Sequence, residues 1–337
     1  MIRPLILTLA LFIGLTNSQL SHQVETIHSM SGLPASLVGK FREPINFQQG
    51  PNGDYYVFDR RANSVYHIGS SQKLTQIVEI GPEENRLLNA SSFDIGPEGR
   101  FVVSDAPNGR ERVQIFESNG TRVGGFYLPG RVKPKFTYGG VVLTGVGSLQ
   151  FTGQSILMNQ PELGGLVTEF SINGHPFRTF GVLRRTGQES DRDVHLALNS
   201  GLPLVDPQGG YYFVFQSGIP IFRKYDKFGT LLFERHIEGP ELDPVVATIP
   251  TIWPKRTGKT GRELPLIPPT IQAATVDPRG NLWIALTVPY LYVYNSNGEK
   301  IRRIRLRGAS LIKPISLSFS ESEHLLVTPG CYEFKVW

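Results

Sequence analysis

Residues 270–307 read TIQAATVDPRGNLWIALTVPYLYVYNSNGEKIRRIRLR, and this stretch decides the fold. It holds four short runs rich in β-branched and aromatic residues, namely TIQAATVD, NLWIALT, YLYVYN and KIRRIRL. Pro278-Arg279-Gly280 predicts a tight turn after the first run. Asn297-Gly298 predicts a hairpin after the third, because both of its residues tolerate positive φ. The stretch is therefore predicted to form four consecutive antiparallel strands.

The same phrase recurs along nearly the whole chain. The glycine of the first turn recurs at Gly53, Gly99, Gly153, Gly209 and Gly280. In the last four units a second turn glycine follows after 21, 21, 20 and 18 residues, at Gly120, Gly174, Gly229 and Gly298. Repetition at this length indicates one supersecondary unit that cannot bury its own apolar face alone. Beyond the N-terminal segment no window has the apolar spacing of an amphipathic helix, which predicts an all-β chain.

These units predict a six-bladed β-propeller of four-stranded antiparallel blades, because radial repetition protects exposed strand edges. A sixth, degenerate unit (SLSF, HLLVT, YEFKVW) ends after its third strand, so we expect residues 24–30 to supply the fourth strand and close the ring. The long step from Gly209 to Gly280 leaves seven blades as the alternative. Residues 240–270 are rich in proline and poor in alternation, which favours a long inter-blade insertion without strands.

The first two units carry a more specific motif. Phe41-Arg42-Glu43-Pro44 precedes an inner strand, and Pro51-Asn52-Gly53, Asp59 and Asn63 follow it. The second unit repeats the pattern with Pro97-Glu98-Gly99, Val103-Ser104-Asp105 and Asn108. This pattern resembles the NHL repeat, and the chain as a whole resembles NHL-type or TolB-like six-bladed propellers. That resemblance implies the fold and no single activity, because these propellers include binding scaffolds, lyases and lactonases.

Composition narrows the class of protein. The chain has 337 residues, of which 40% are hydrophobic and 19% charged, enough for the core of one domain over residues 19–337 and unlike a disordered chain. The formal net charge of +5 is modest and spread out, and no aromatic stacking platform accompanies it. Nucleic acid is therefore not an expected partner.

The N-terminus predicts export. Arg3, the apolar run of residues 5–15 and the small residues Thr16-Asn17-Ser18 are typical of a signal peptide over residues 1–18. The apolar run is shorter than the roughly twenty residues of a membrane span. We expect a secreted or periplasmic monomer without a membrane span in its mature form; an uncleaved anchor is the alternative. The single Cys331 forbids an intrachain disulfide and is expected to be buried.

Long insertions over residues 128–140, 181–200 and 240–270 are predicted to share the rim opposite the Pro-x-Gly and Asn-Gly turns. Loops longer than about a dozen residues in a compact domain are usually functional. These insertions are basic, with cations that include Arg131, Lys133, Lys135, Lys259 and Arg262. The predicted ligand-binding residues are Arg61, Arg110, Arg185, Trp253, Lys255 and Arg256. Positive charge would steer a protein or a small anionic ligand to this rim; the alternatives are a solvated face and, for Trp253, a packing role.

The sequence therefore predicts an exported binding module that uses this rim and the channel mouth, with enzyme activity disfavoured. The alternative is a metal-dependent hydrolase or lyase, lactonase-like or amidating-lyase-like, with its site in the central channel. No nucleophile elbow or metal-binding histidine spacing occurs, so catalytic and metal residues stay unassigned and no cofactor is predicted. Resemblance to propeller lactonases implies a calcium site, for which the candidates are Glu43, Asn46, Asn89 and Asn199. Asp59 and Asp105 are either ligands or caps of their own loops, and their repetition favours caps.

Overall fold

The computed structural model describes residues 23–128, 136–138, 141–143, 148–257 and 263–337. The N-terminal segment forms β1 (Val24–His28), β2 (Ser31–Gly32) and the short helix α1 (Ala35–Val38). Six antiparallel blades follow, and in each the strands run outward from the axis in chain order. The predicted six-bladed β-propeller is confirmed.

The blades have these bounds. Blade 1 contains β3 (Pro44–Gln49), β4 (Tyr55–Asp59), β5 (Ser64–Ile68) and β6 (Leu74–Val78). Blade 2 contains β7 (Ser92–Ile95), β8 (Phe101–Asp105), β9 (Arg112–Phe116) and β10 (Arg122–Tyr127). The hairpin β11 (Phe136–Tyr138) and β12 (Val141–Leu143) precedes blade 3, which contains β13 (Leu149–Phe151), β14 (Ser155–Asn159), β15 (Val167–Ser171) and β16 (Pro176–Phe180). Single 3₁₀ turns lie at Pro107–Gly109 and Pro161–Leu163.

Helix α2 (Arg192–Leu198) leads into blade 4, which contains β17 (Gly201–Val205), β18 (Tyr211–Phe215), β19 (Ile221–Tyr225) and β20 (Leu231–His236). Helix α3 (Asp243–Val246) and the hairpin β21 (Lys255–Thr257) and β22 (Glu263–Pro265) come next. Blade 5 contains β23 (Ile271–Val276), β24 (Leu282–Leu286), β25 (Leu291–Tyr294) and β26 (Lys300–Arg307). Blade 6 contains β27 (Ser316–Phe319), β28 (Leu325–Thr328) and β29 (Tyr332–Phe334). The four strands read from residues 270–307 are all present.

The core lies between neighbouring blades. Strands β8 and β9 are buried along their whole length, because blade 1 covers one face of blade 2 and blade 3 covers the other. Aromatic rings fill the contact between blades 1 and 2, with the Phe58 and Phe93 centroids 5.7 Å apart and those of Phe101 and Phe116 5.1 Å apart. Outer strands such as β20 are largely exposed. Burial therefore falls from the middle of each blade toward its outer edge.

The Pro-x-Gly turns of blades 1 and 2 each pack against the turn glycine of the next blade. The Pro51 ring lies against Gly99 of the next blade, and the Pro97 ring lies against Gly153 of the blade after that. A Cβ added at Gly99 would lie 3.3 Å from Pro51, and both glycines have positive φ, 81° and 92°. Glycine is required by the turn, and it also makes room for the neighbouring proline. This inter-blade contact gives the repeated turn a structural reason.

The ring closes through the N-terminal segment, as predicted, but with a different division of strands. Ser31 and Gly32 of β2 pair antiparallel with Glu333 and Tyr332 of β29, and the Met30 N–H donates to the Glu333 carbonyl at 2.9 Å. Strand β1 instead pairs in parallel with β26 of blade 5. Most of the segment expected to complete blade 6 therefore lies on blade 5.

The insertion over residues 240–270 also differs from expectation, because it contains α3 and the β21–β22 hairpin. Helix α2 was not expected either. It begins at Asp191, whose carboxylate caps the helix by accepting from the Val194 N–H at 3.3 Å. At seven residues it is too short to show a periodic apolar pattern.

Candidate functional site

The blades surround a central channel with a cavity of about 1190 Å³. On the side of blades 1 to 3 its wall carries Gln48, Asp94 and Gln150, one from each inner strand. On the side of blades 4 and 5 the wall carries Leu204 and Ala274. Gln272 and Thr275 of blade 5 also line it, so the wall mixes polar and apolar side chains.

The polar channel side chains bind the next blade. Gln48 donates to the Asp94 carboxylate at 2.9 Å and accepts from the Ile95 N–H at 2.9 Å. Asp94 accepts from the Phe151 N–H at 2.7 Å, and Gln150 accepts from the Val205 N–H. Burial raises the pKa of Asp94 to about 6, against the lowering effect of these hydrogen bonds. These three side chains act first as ties between blades.

Two arginines lie at the channel mouth on the insertion-bearing rim, one of them in an ion pair and the other exposed. Arg60 forms an ion pair with Glu43, and Arg61 is exposed beside it. Both arginines line the cavity together with Asn63 and Asn89. The side-chain amide oxygen of Asn63 accepts from the Ala90 N–H at 2.9 Å, so the Asn63 side chain also connects two blades.

The repeated aspartates cap loops. Asp59 accepts from the N–H groups of Arg42 and Glu43 at 2.6 and 3.0 Å, and Asp105 accepts from the Leu88 N–H at 2.9 Å. Asp105 also forms a buried ion pair with Arg112 at 2.7 Å. Both carboxylates therefore bind backbone N–H groups of the segment that precedes the first strand of their own blade. Capping of its own loop is seen for Asp59, which accepts from the Ala62 N–H at 3.0 Å. This pattern explains why Asp recurs at the same place in the repeat.

Parts of the insertions of the rim pack together into one body, which we call the insertion platform: residues 181–200, residues 249–257 and 263–270, and β11. Leu242 and Val245 pack instead in the core of blades 4 and 5. Val194, Ala197 and Leu198 of α2 form a buried cluster with Trp253 and Ile267. The backbone of β11 adjoins both α2 and β22. Connections that precede blades 3, 4 and 5 therefore meet in a single structure.

Polar contacts tie the same insertions together. The Lys255 ammonium lies 2.8 Å from the Asp191 carboxylate that caps α2, and the Gln188 amide donates to the Thr251 carbonyl at 3.0 Å. The hydrogen bond and charge of Lys255 lower the pKa of Asp191. Lys255 and Asp191 remain partly exposed, so this ion pair contributes little to stability. Its main effect is to fix the position of β21 relative to α2.

Arg184 connects the platform to the ring, and sequence reasoning gave it no separate role. Its guanidinium donates to the carbonyls of Leu198 at 2.7 Å and Ile219 at 2.8 Å and lies 4.3 Å from the Phe215 ring centroid. Burial, together with the nearby Arg223 charge, lowers the pKa of Arg184 to about 10. A charged residue in a basic loop reads as a surface cation, so no sequence signal separates it from its neighbour Arg185.

The six predicted ligand-binding residues lie in three places. Arg61 lies at the channel mouth, and Arg110 lies on blade 2 over the Tyr127 ring at 4.9 Å, outside the cavity lining. Arg185, Trp253, Lys255 and Arg256 belong to the platform. Within the described part of the chain, Arg185 and Arg256 are exposed and form no ion pair. The cations predicted within residues 129–135 and 258–262 lie outside the described residues, as does the predicted signal peptide.

Trp253 is 6% exposed and packs inside the platform. That location supports the packing role, and ligand contact by this side chain stays a prediction. Sequence reasoning missed two aliphatic side chains, Val182 and Ile252, which are 81% and 84% exposed on the same platform. A single aliphatic residue in a loop gives no periodic signal, so only the structure could reveal their exposure.

Among the described residues, no group of three or more His, Cys, Asp or Glu side chains is arranged to hold a metal ion. The described residues also include no helix that is long and apolar enough to cross a membrane. The Cys331 thiol is buried, and burial raises its pKa to about 12.

No family model and no curated protein matches this chain. Solved structures do resemble it. Virginiamycin B lyase from Staphylococcus aureus aligns with a TM-score of 0.53 and 10% identity over 85% of this chain and 77% of its own. A gluconolactonase from Xanthomonas campestris aligns with a TM-score of 0.50 and 15% identity over 91% and 95%, and a streptogramin B lyase with 0.50 and 10% over 86% and 92%. At these identities the likeness shows the fold alone, so the chain is a six-bladed β-propeller whose resemblance to NHL repeats stays a prediction.

Proposed function

We propose that this protein is an exported, monomeric binding module whose insertion platform and adjoining channel mouth bind an acidic surface of another protein. One observation carries the proposal: insertions that precede three successive blades join into a single body with its own buried core. Residues that served only to connect blades would not need a common core. A rigid body built from loops is the arrangement by which scaffolds present binding residues.

The surface chemistry of the platform supports an acidic protein partner. Arg185 and Arg256 present exposed guanidinium groups, while Val182 and Ile252 present aliphatic side chains on the same body. Arginine is enriched at protein interfaces, and apolar side chains supply the desolvated centre of such contacts. Exposed cations would steer an acidic partner to this rim. A small anionic ligand would use the cations alone.

The test uses the double variant Arg185→Glu/Arg256→Glu. Its matched control is Lys73→Glu/Lys313→Glu, which changes the net charge equally at exposed lysines off the platform. The probe is a fluorescent peptide in which Asp or Glu alternates with Leu or Phe, measured by anisotropy, with citrate as the small-anion competitor. We expect the platform variant to bind the peptide about tenfold more weakly than the control variant, as reversal of two exposed charges implies.

Ile252→Ser tests the apolar part of the surface, and it should weaken peptide binding without changing the charge. Equal binding by the platform and control variants would refute the proposed site. Competition by citrate with the same strength as the peptide would assign the site to a small anion. For export, we propose removal of residues 1–18; the first residue of the mature chain, read by mass spectrometry, should lie near Gln19.

A second candidate is a hydrolase or lyase that acts in the central channel. The observation in its favour is Asp94, a carboxyl in the cavity whose pKa of about 6 suits proton transfer near neutral pH. Structural relatives named as lyases and a gluconolactonase have the same architecture. Against it, Asp94 already accepts hydrogen bonds from Gln48 and the Phe151 N–H. Thermal shift with calcium or zinc, repeated on Asp94→Asn, separates the two, because a channel metal would raise Tm only in the wild-type chain.

A further inference from the structure

The fourth strands of blades 2 to 5 share an irregularity. In each, the second residue has no partner on the third strand, so the strand carries a β-bulge at the same place. The unpaired residues are all apolar and exposed: Val123, Phe177, Leu232 and Ile301. Bulges on edge strands hinder pairing with a further strand. On blade 5 the strand β1 does pair with β26, but only from Arg303 onward, past the bulge. Contacts at the bulge residues themselves therefore use side chains.

On blades 3 and 4 the bulge residues belong to a larger apolar surface, the outer patch: Ile172, Phe177, Phe228, Leu231 and Leu232. Phe228 lies in the tight turn between β19 and β20 and is 74% exposed, and Phe177 is 63% exposed. The two blades touch here, because the Arg178 guanidinium donates to the Lys227 carbonyl at 2.8 Å. A Cβ added at Gly229 would lie 2.8 Å from the Phe180 Cβ. The two blades thus touch next to the patch residues of each.

Cations accompany the aromatic side chains of this surface. The Lys227 ammonium lies 5.1 Å from the Phe228 ring centroid, and the Arg235 guanidinium lies 4.8 Å from that of Phe233. The Asp226 carboxylate points back into its own turn, accepting from the Phe228 and Thr230 N–H groups at 2.8 Å each. An outward-facing surface of aromatic, aliphatic and basic groups results.

The charge and shape of the outer patch indicate which kind of molecule binds there. A symmetric contact with a second copy would bring Lys227 and Arg235 toward the same cations of the other chain. A protein interface uses pockets that receive anchoring side chains, whereas this patch consists of exposed side chains from two turns and the starts of two outer strands, none of which lines the cavity. Apolar side chains that protrude among cations suit the boundary between lipid headgroups and acyl chains.

We propose that the outer patch binds anionic lipid surfaces peripherally, with Phe177 and Phe228 entering the headgroup region. Lys227 and Arg235 contact the lipid phosphates or carboxylates. Binding is reversible and sensitive to salt, because one shallow patch with few cations is a single weak anchor. The patch lies on the rim opposite the insertion platform, so this inference stands apart from the proposed function.

The experiment is flotation of the full chain with vesicles of phosphatidylserine and phosphatidylcholine, and with phosphatidylcholine alone. The patch variant is Phe177→Glu/Phe228→Glu. The control variant, Val123→Glu/Ile301→Glu, introduces the same charge at exposed apolar bulge residues of blades 2 and 5. Both variants leave the N-terminal apolar run unchanged. We expect the wild type and the control to bind anionic vesicles, and the patch variant to bind at least about tenfold more weakly, because two aromatic side chains would no longer enter the headgroup region.

Lys227→Ala should weaken binding about fivefold, as expected for one lysine near an anionic surface. Phe228→Asn keeps a turn-compatible residue and serves if the double variant fails to fold, which its melting curve reports. Equal vesicle binding by patch and control variants overturns the proposal, as does equal binding of the wild type to neutral vesicles or no binding at all. A concentration-dependent dimer lost only in the patch variant would assign the surface to a second copy.

Discussion

Replacement of Trp253 by alanine should loosen the insertion platform without unfolding the ring. Trp253 is 6% exposed, so almost its whole side chain is buried against Val194, Leu198 and Ile267. An aromatic side chain buries about 150–250 Å², which at about 25 cal/mol per Å² corresponds to roughly 4–6 kcal/mol. Large-to-small replacements of buried aromatic residues cost about 3–5 kcal/mol. That cost should fall on the platform, because its core is separate from those of the blades.

Hydrogen exchange measures this local loss. Amide protection in α2 should fall by at least about a hundredfold in Trp253→Ala, since 1.4 kcal/mol corresponds to a factor of ten. Protection in β8 and β9, which lie in the ring, should stay within about threefold of the wild type. Trp253→Phe should recover part of the protection, because it keeps an aromatic ring in the cluster.

The neighbouring residue provides the control. Ile252 is 84% exposed, so Ile252→Ala should change stability by no more than about 0.5 kcal/mol. Equal loss of α2 protection in both variants would refute the argument, because it would mean that burial does not decide the effect. Unchanged protection in Trp253→Ala would also refute it. In that case ligand contact would be the remaining role for this side chain.

Three further predictions concern the ring. Asp105→Asn leaves the buried Arg112 guanidinium without its carboxylate, so the free energy of unfolding in urea titrations should fall by about 3–5 kcal/mol. The control Glu117→Gln removes the carboxylate of an exposed ion pair and should cost less than about 1 kcal/mol. Equal losses would contradict this. The pKa of Asp94 is raised to about 6 in the folded chain, so ionisation of this carboxyl opposes folding as pH rises from about 4 to 6. The free energy of unfolding of Asp94→Asn should therefore rise by about 2–3 kcal/mol relative to that of the wild type between pH 4 and 7. A difference that does not depend on pH would refute this. Glu333→Gln should speed hydrogen exchange in β2 by about tenfold, because the Glu333 carboxylate accepts from the Ser31 hydroxyl of β2 at 2.7 Å. Unchanged exchange would show that the backbone pairing alone closes the ring.

Repetition made the ring predictable. Pro51 and Pro97 each pack on the turn glycine of the next blade, so this contact leaves the same pattern in the first two units of the sequence, while at Gly280 the neighbouring blade contributes Gln208 instead. The sequence predicted that the N-terminal segment closes the ring, but it did not predict which of its residues pair with blade 6. Strand β2 has only two residues, Ser31 and Gly32, and their pairing leaves no apolar pattern from which a register could be derived.

The platform was predictable only as a set of long basic loops. Arg184 and Arg185 are adjacent in the sequence and identical in type, yet one is bonded to carbonyls of α2 and of blade 4 and the other is exposed. The difference depends on which way each side chain points from a non-repeating loop. No periodicity sets that direction, so propensity and spacing cannot separate an anchoring arginine from a ligand-binding one.

The division between ring and platform bears on where function resides. Gln48, Asp94 and Gln150 face the channel, where ligands of a propeller could bind, but each is bonded to the main chain or carboxylate of a neighbouring blade. A ligand that bonded to them would compete with the ties that hold the ring together, and leaving a buried polar group without its partner costs about 1–3 kcal/mol. Exposed side chains of the platform face no such competition. Arg185 and Arg256 can therefore engage a partner at little cost to the fold, which is why we place recognition on the insertions.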